Sequence, residues 1–284
     1  MRIALAANRA SGGGLDPDPL AEAMRRAGAD VEIGGCDPDG LERLAGTQPD
    51  RLAVAGGDGT IGAVAELAGR LDVPLAVIPT GTANDFARAH GLPDDRLAAA
   101  SLAATAEQTA PLELGRLADG RPFVNVASAG LASVAARQAE PLKPRLGPLA
   151  YAAGAVRAAV SQSPLHCTLR VEGQEVFAGD CWQVIVAVSG AFGGGSGVQE
   201  ADPEDGVLDV VVIPGGSRVT LARRAWGLRA STIAQQRAVD HHRGTLVEVE
   251  LPPRRTELNV DGEIRDGGLE RVTVEHAAYA LVVG

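Results

Sequence analysis

Over residues 1–112 short apolar runs alternate with segments of helical spacing, and this alternation restricts the chain more than any other feature. The runs are RIALAAN, ADVEIGG, RLAVAGG and PLAVIPTG, and the spacing predicts helices over 18–27, 39–45, 61–70, 84–90 and 94–107. Strands separated by helices pair in parallel, so the expected product is a parallel sheet with helices on both faces. Ligands of such sheets gather at the carboxyl ends of the strands. There the chain places SGGG, GGDGT and TGTAND, three polar, glycine-rich loops expected at one edge.

After residue 113 the texture changes to closely spaced β-like runs, among them LELGRL, RPFVNVASAG, CWQVIVAVSG, GVLDVVVI and LERVTVEH. They predict an antiparallel β-sandwich or barrel-like domain, interrupted by helices near 147–161 and 217–238. The chain of 284 residues is therefore read as two domains, 1–112 and 113–276, with a tail over 277–284 free to return to the first and a cleft between them.

Composition removes several classes. A net charge of −10 lacks the basic excess of a nucleic-acid groove. Lys143 is the one lysine among 26 basic residues, and its PLKPR context suits neither a Walker A loop nor a protein-kinase strand lysine. Three cysteines without CxxC spacing fit a reducing interior and no zinc site. The first residues lack the apolar core and cleavage site of a signal peptide, and no run reaches membrane-spanning length, so a cytoplasmic protein is expected.

Within GGDGT, Asp58 is the informative residue. A bare carboxylate repels a pyrophosphate unless a cation or a transferable proton balances it, which points to phosphoryl transfer. The plainer reading is that Asp58 caps the helix that follows a tight glycine turn. In the next loop Thr82 can donate to a phosphate, while Asn84 or Asp85 is expected to cap the helix that begins there.

GGDGT followed by PTGTANDFAR resembles the diacylglycerol kinase catalytic family, in particular its bacterial soluble lipid kinases; sphingosine kinases share that core. The likeness continues in Asn8-Arg-Ala-Ser-Gly12, FVNVASAG at 123–130, GPLAY at 147–151, AFGGGSG and DPEDGVLDV at 191–210, and VDGE at 260–263. It implies a Rossmann-like nucleotide domain, a β-rich lipid-binding domain, and ATP in the cleft between them. It implies Asn8, Ser11 and Gly12 near the nucleotide, Gly56, Gly57, Asp58, Gly59, Thr60 and Gly62 at its phosphates, and Thr82 as a further contact. By the same likeness Asp205, with backbone oxygens of Asp202 and Val207, binds Mg²⁺, and Glu263 is the proton acceptor. A lipid hydroxyl needs such a carboxylate, and Asp58 or Glu263 could serve; the resemblance favours Glu263. Asp-Gly before Glu263 also reads as an ordinary hairpin turn. The chain departs from the family at Arg9, at Gly62 and in the threonine-free stretch 31–36, which bears on the adenosine side of the site.

A lipid kinase must visit a bilayer. Residues 217–243 carry six arginines and one aspartate around an apolar stripe with Trp226, which suits an anionic membrane surface as well as packing on the sheet. The expectation is an ATP- and Mg²⁺-dependent lipid kinase acting on diacylglycerol, transiently at the inner face of the membrane, with a homodimer as a second partner. The alternatives are a NAD kinase or other small-molecule kinase of the GGDGT group, and a nucleotide- or lipid-binding module without turnover.

Overall fold

The computed structural model describes residues 1–139, 161–192, 196–198, 201–217, 239–251 and 257–284, with isolated positions at 141, 154, 157 and 158. The first part alternates as expected: β1 (Arg2–Ala7), α1 (Asp18–Arg26), β2 (Asp30–Gly35), α2 (Pro38–Gly46), β3 (Arg51–Gly56), α3 (Asp58–Leu71), β4 (Leu75–Pro79), α4 (Asp85–Ala89) and α5 (Arg96–Thr105). Local chemistry starts the helices. Asp37 accepts the Gly40 amide at 3.0 Å at the head of α2, and Asp95 accepts that of Ala98 at 2.8 Å at the head of α5.

Strands β2, β1, β3 and β4 lie side by side in parallel. Because side chains alternate along a strand, each face has its own core. Ile3, Leu5, Ala53 and Ile78 face Leu20 and Met24 of α1 and Ala99 and Ala103 of α5. Ala4, Ala6, Leu52, Val54 and Val77 face Leu41 and Leu44 of α2 and Ile61, Val64 and Leu67 of α3. Each large aliphatic side chain buried this way contributes roughly 1.5–3 kcal/mol.

The second part comprises β5 (Thr109–Leu117), β6 (Pro122–Phe123), β7 (Val126–Gly130), α6 (Leu131–Ala139), β8 (Leu165–Val171), β9 (Gln174–Ala187), β10 (Ala191–Phe192), β11 (Ser196–Gly197), β12 (Leu208–Pro214), β13 (Asp240–Gly244), β14 (Leu246–Glu250), β15 (Glu257–Val260), β16 (Glu263–Asp266) and β17 (Val272–Val282). Its pairings are antiparallel, and Cys167, Leu169, Val184, Val186, Val210, Val249 and Leu258 fill one core. The helix α6 was not expected; it follows β7 directly at Gly130, which ends the strand with positive φ. The helix expected near 147–161 lies, but for isolated positions and Ser161, outside the described residues, and the one near 217–238 does so beyond Ser217.

The chain's long last strand joins the two parts. β17 runs antiparallel to β5 from Val272 opposite Leu117 to Val282 opposite Thr109, and Leu281 pairs in parallel with Leu75 of β4. One sheet therefore continues in the order β2-β1-β3-β4-β17-β14-β8-β9-β7-β15-β16. A bulge between Glu275 and Tyr279 interrupts β17 opposite Glu113. The Glu113 amide bonds the carbonyl of Pro203 instead, at 3.1 Å.

Candidate functional site

The three glycine-rich loops leave β1, β3 and β4 at the same edge and are bonded to one another. Asn8 donates from Nδ2 to the Thr60 hydroxyl at 3.1 Å, and the Thr80 hydroxyl donates to Ser11 Oγ at 2.9 Å. Gly12 lies against the Thr80 carbonyl. Gly56 ends β3, Gly57 precedes the first turn of α3, and Gly59 and Thr82 are exposed. Gly62 is placed otherwise. It is buried one turn into α3 against the backbone of Pro122 and Phe123, where any side chain would push helix and β6 apart.

Asp58 faces the following loop. Its two oxygens accept the amides of Asp85 at 3.1 Å and Phe86 at 2.9 Å, so it caps α4 from another part of the chain. This corrects two expectations. Asp58 does not cap its own helix, and Asn84, at the head of α4, makes no side-chain cap bond: it donates to the Gly81 carbonyl at 3.1 Å, while Asp85 pairs with Arg88 at 2.8 Å. Adjacent β3 and β4 bring the two loops together, so a carboxylate on one meets the unpaired amides that open the helix on the other. Burial raises the Asp58 pKa, and the amides oppose that rise.

Glu263 enters from the second part of the chain. Asp261 and Gly262 both have positive φ and form the two-residue turn between β15 and β16, with Val260 opposite Glu263. The hairpin reading and the site reading therefore hold together. The Glu263 carboxylate lies so close to Gly59 that even a methyl group at residue 59 would collide with it, and it is paired with Arg265. The proton-acceptor candidate thus sits on the exposed glycine of the GGDGT loop.

Two residues that the sequence reading left out build this junction. Asp261 accepts three consecutive amides, Val124 at 2.8 Å, Asn125 at 2.9 Å and Val126 at 3.0 Å. Burial pushes its pKa up to about 7 against those hydrogen bonds, and the nearby Asp58 adds to the rise. Asn125 reaches Asp58 Oδ1 at 3.5 Å and accepts the Ser189 hydroxyl at 2.6 Å, linking the GGDGT loop to the β-rich part. In the sequence each was marked only by its place in FVNV or VDGE.

The acidic loop lies elsewhere, on β5 and β13. Asp205 accepts the Val207 amide at 3.0 Å and pairs with Arg243, and Asp202 accepts the Glu204 amide at 3.1 Å. Glu113, fully buried, accepts the Gly206 amide at 2.8 Å, and burial pushes its pKa up to about 7. Among the described residues no group of three or more His, Cys, Asp or Glu side chains is placed to hold a metal ion alone. Asp205 with backbone oxygens at 202 and 207 nevertheless offers the hard donors that Mg²⁺ takes. The buried Glu113 Oε1 and Asp209 Oδ2, which have no hydrogen-bond partner among the described residues, leave room for added positive charge nearby. The glycine loops likewise fit a polyphosphate: the N-terminus of the 14-residue α3 attracts anions, and Gly57 and Gly59 place no side chain over it. A groove of about 600 Å³ on the far side of α3, lined by Leu41, Leu67 and Leu114, includes none of these residues.

A parallel sheet with polar glycine loops at its carboxyl edge, a β-rich second part and a carboxylate closing on the GGDGT loop make up the fold that lipid and NAD kinases share. The chain matches the diacylglycerol kinase catalytic domain over residues 2–117 and the YegS C-terminal NAD kinase beta sandwich-like domain over 125–283, and it belongs to this family. It is 31% identical to a probable lipid kinase YegS-like of Pseudomonas aeruginosa, over 91% of this chain and 86% of that one. To a diacylglycerol kinase of Bacillus subtilis it is 30% identical, over 75% and 71% of the two chains. Its fold matches a putative diacylglycerol kinase of Bacillus anthracis with TM-score 0.78 at 21% identity, covering 100% and 97%. An ATP-bound NAD kinase of Archaeoglobus fulgidus shares the fold at TM-score 0.56 and 17% identity, covering 99% and 92%.

Proposed function

We propose that this kinase transfers the γ-phosphoryl group of ATP to the hydroxyl of a lipid, with diacylglycerol as the substrate. The observation that carries this reading is the contact of Glu263 with Gly59, which brings a carboxylate from the β-rich part onto the loop suited to phosphate. Glu263 accepts the hydroxyl proton as the lipid oxygen attacks phosphorus, the bond to the ADP oxygen breaks, and ADP leaves. Gly57, Gly59 and the first turn of α3 hold the phosphates, with Thr82 as a further donor. Asn8, Ser11 and Gly12 border the nucleotide.

Asp58 acts one step removed. By capping α4 it fixes the loop that carries Thr82, and through Asn125 it is linked to the β-rich part. Mg²⁺ on the acidic loop would be held by Asp205 and the backbone oxygens of Asp202 and Val207, and would supply the charge that keeps this loop folded against Glu113. Transient contact with a membrane surface and pairing with a second copy belong to the same reading. The arginine-rich segment proposed to touch lipid lies, between 218 and 238, outside the described residues. Among the described residues no helix is long and apolar enough to cross a membrane.

Glu263→Gln keeps the size of the side chain and removes its basicity. It is expected to lower phosphorylation of dispersed diacylglycerol at least a hundredfold while ATP affinity stays within a few-fold. Turnover at the wild-type rate would remove Glu263 from the chemistry. The fold shared with the NAD kinase favours one second reading, and NAD in the same assay tests it: phosphorylation of NAD with diacylglycerol untouched would select that alternative.

A further inference from the structure

The sheet around β7, β9 and β12 has a second face. Val126, Trp182, Ile185, Ala187, Val211 and Ile213 pack together there, away from the core that Val184, Val186 and Val210 fill. Ser128 lies opposite Ile185 and Gly130 opposite Gln183, so Ser128 and Gln183 belong to this apolar face. Both are buried, Ser128 at 0% exposure and Gln183 at 3%, as is Trp182 at 4%. Yet Ser128 Oγ, Gln183 Nε2 and Trp182 Nε1 have no hydrogen-bond partner among the described residues.

Buried polar atoms without partners are rare because each gives up its bonds to water for nothing, and a group of them on one apolar surface calls for a ligand. The chemistry of that ligand can be read from the donors. An indole N–H only donates, and Gln183 Oε1 already accepts the Ala132 amide at 2.8 Å, which leaves its Nε2 as a donor. The indole and the amide therefore lack acceptors, and the Ser128 hydroxyl can donate to one as well. An ester-linked lipid presents carbonyl oxygens, whereas a sphingoid base presents an ammonium, which is one more donor.

The face also begins at the right place. β7 starts beside Asn125, which reaches Asp58, and Ser128 pairs with Asn259 of β15, the strand whose turn delivers Glu263. At the rise of an extended chain, Ser128 lies about 7 Å and Gly130 about 13 Å along β7 from Val126. We propose that Ser128, Trp182 and Gln183 are specificity-determining residues that receive the ester carbonyls of an acylglycerol whose free hydroxyl faces Glu263. This rests on the lipid-kinase reading above.

The test compares dihexanoylglycerol with its diether counterpart, which keeps both chains and the hydroxyl but lacks the carbonyls. Binding of each to the full chain is measured by calorimetry. Wild type is expected to bind the diester about tenfold more tightly, because a site built to bond a polar group rejects the analogue without it. Ser128→Ala and Trp182→Phe should each bring that ratio toward one by weakening binding of the diester more than that of the diether. A wild-type ratio of one, or variants that keep the wild-type ratio, overturns the proposal. Failure of the kinase reading shows separately, as absence of ATP-dependent phosphorylation of either lipid by wild type while the binding preference persists.

Discussion

Asp58 occupies the first turn of α3 and caps α4, and one carboxylate serves both places because its oxygens point across to the neighbouring loop. Asparagine there would keep a single acceptor and turn an N–H₂ group toward a backbone amide. Asp58→Asn is therefore expected to cost about 1–2 kcal/mol in denaturant unfolding and to lower kcat/KM for ATP at least tenfold, since the loop carrying Thr82 loosens. Full activity at wild-type stability would show that the cap is dispensable. That Asp58 is special was legible from a charge inside a glycine turn. Which amides it meets was not, because they lie in the next loop and come within reach only when β3 and β4 pair. Asp261 was harder still: an Asp-Gly dipeptide announces a turn, and nothing in it announces a buried carboxylate holding three amides of another strand.

The hairpin β15–β16 and the helix α3 meet at Gly59, where backbone and carboxylate come closer than any side chain permits. Gly59→Ala should displace Glu263 without removing it. Single-turnover kinetics are expected to show phosphoryl transfer slowed by tenfold or more, with ATP bound nearly as in wild type. An unchanged rate would mean that the contact does not set the position of Glu263. Elements with strong local signals, such as α1, α2 and α5, stand within two residues of their expected bounds, because amphipathic spacing and an acidic or proline start specify them locally. The short α4, expected over 84–90, stands at Asp85–Ala89, although the residue that caps it is distant in the chain; α6 was not expected and depends on packing against β7 and β9.

At the scale of the whole molecule, two parts of different texture share one sheet through β17. Near their junction, beside the loops that carry Asp58, lies Asp261, whose pKa of about 7 stands above the ~3.9 of an unfolded aspartate. The native state thus binds an extra proton between those values. The stability this proton contributes is full below pH ~4 and is lost as pH rises through about 7. The unfolding free energy of wild type minus that of Asp261→Asn should therefore fall across this range in urea titrations, and a flat difference would contradict it. Taken alone, the sequence determined the parallel and antiparallel parts and the three loops at one edge, because strand and helix periodicity and glycine turns are local properties, whereas Asp205 and Glu263 became candidates only through the motifs shared with a kinase family. The tertiary structure decided where each carboxylate points, that β17 joins the halves and which polar groups stay unpaired. Those outcomes depend on strand order and register, which bring together residues more than a hundred positions apart.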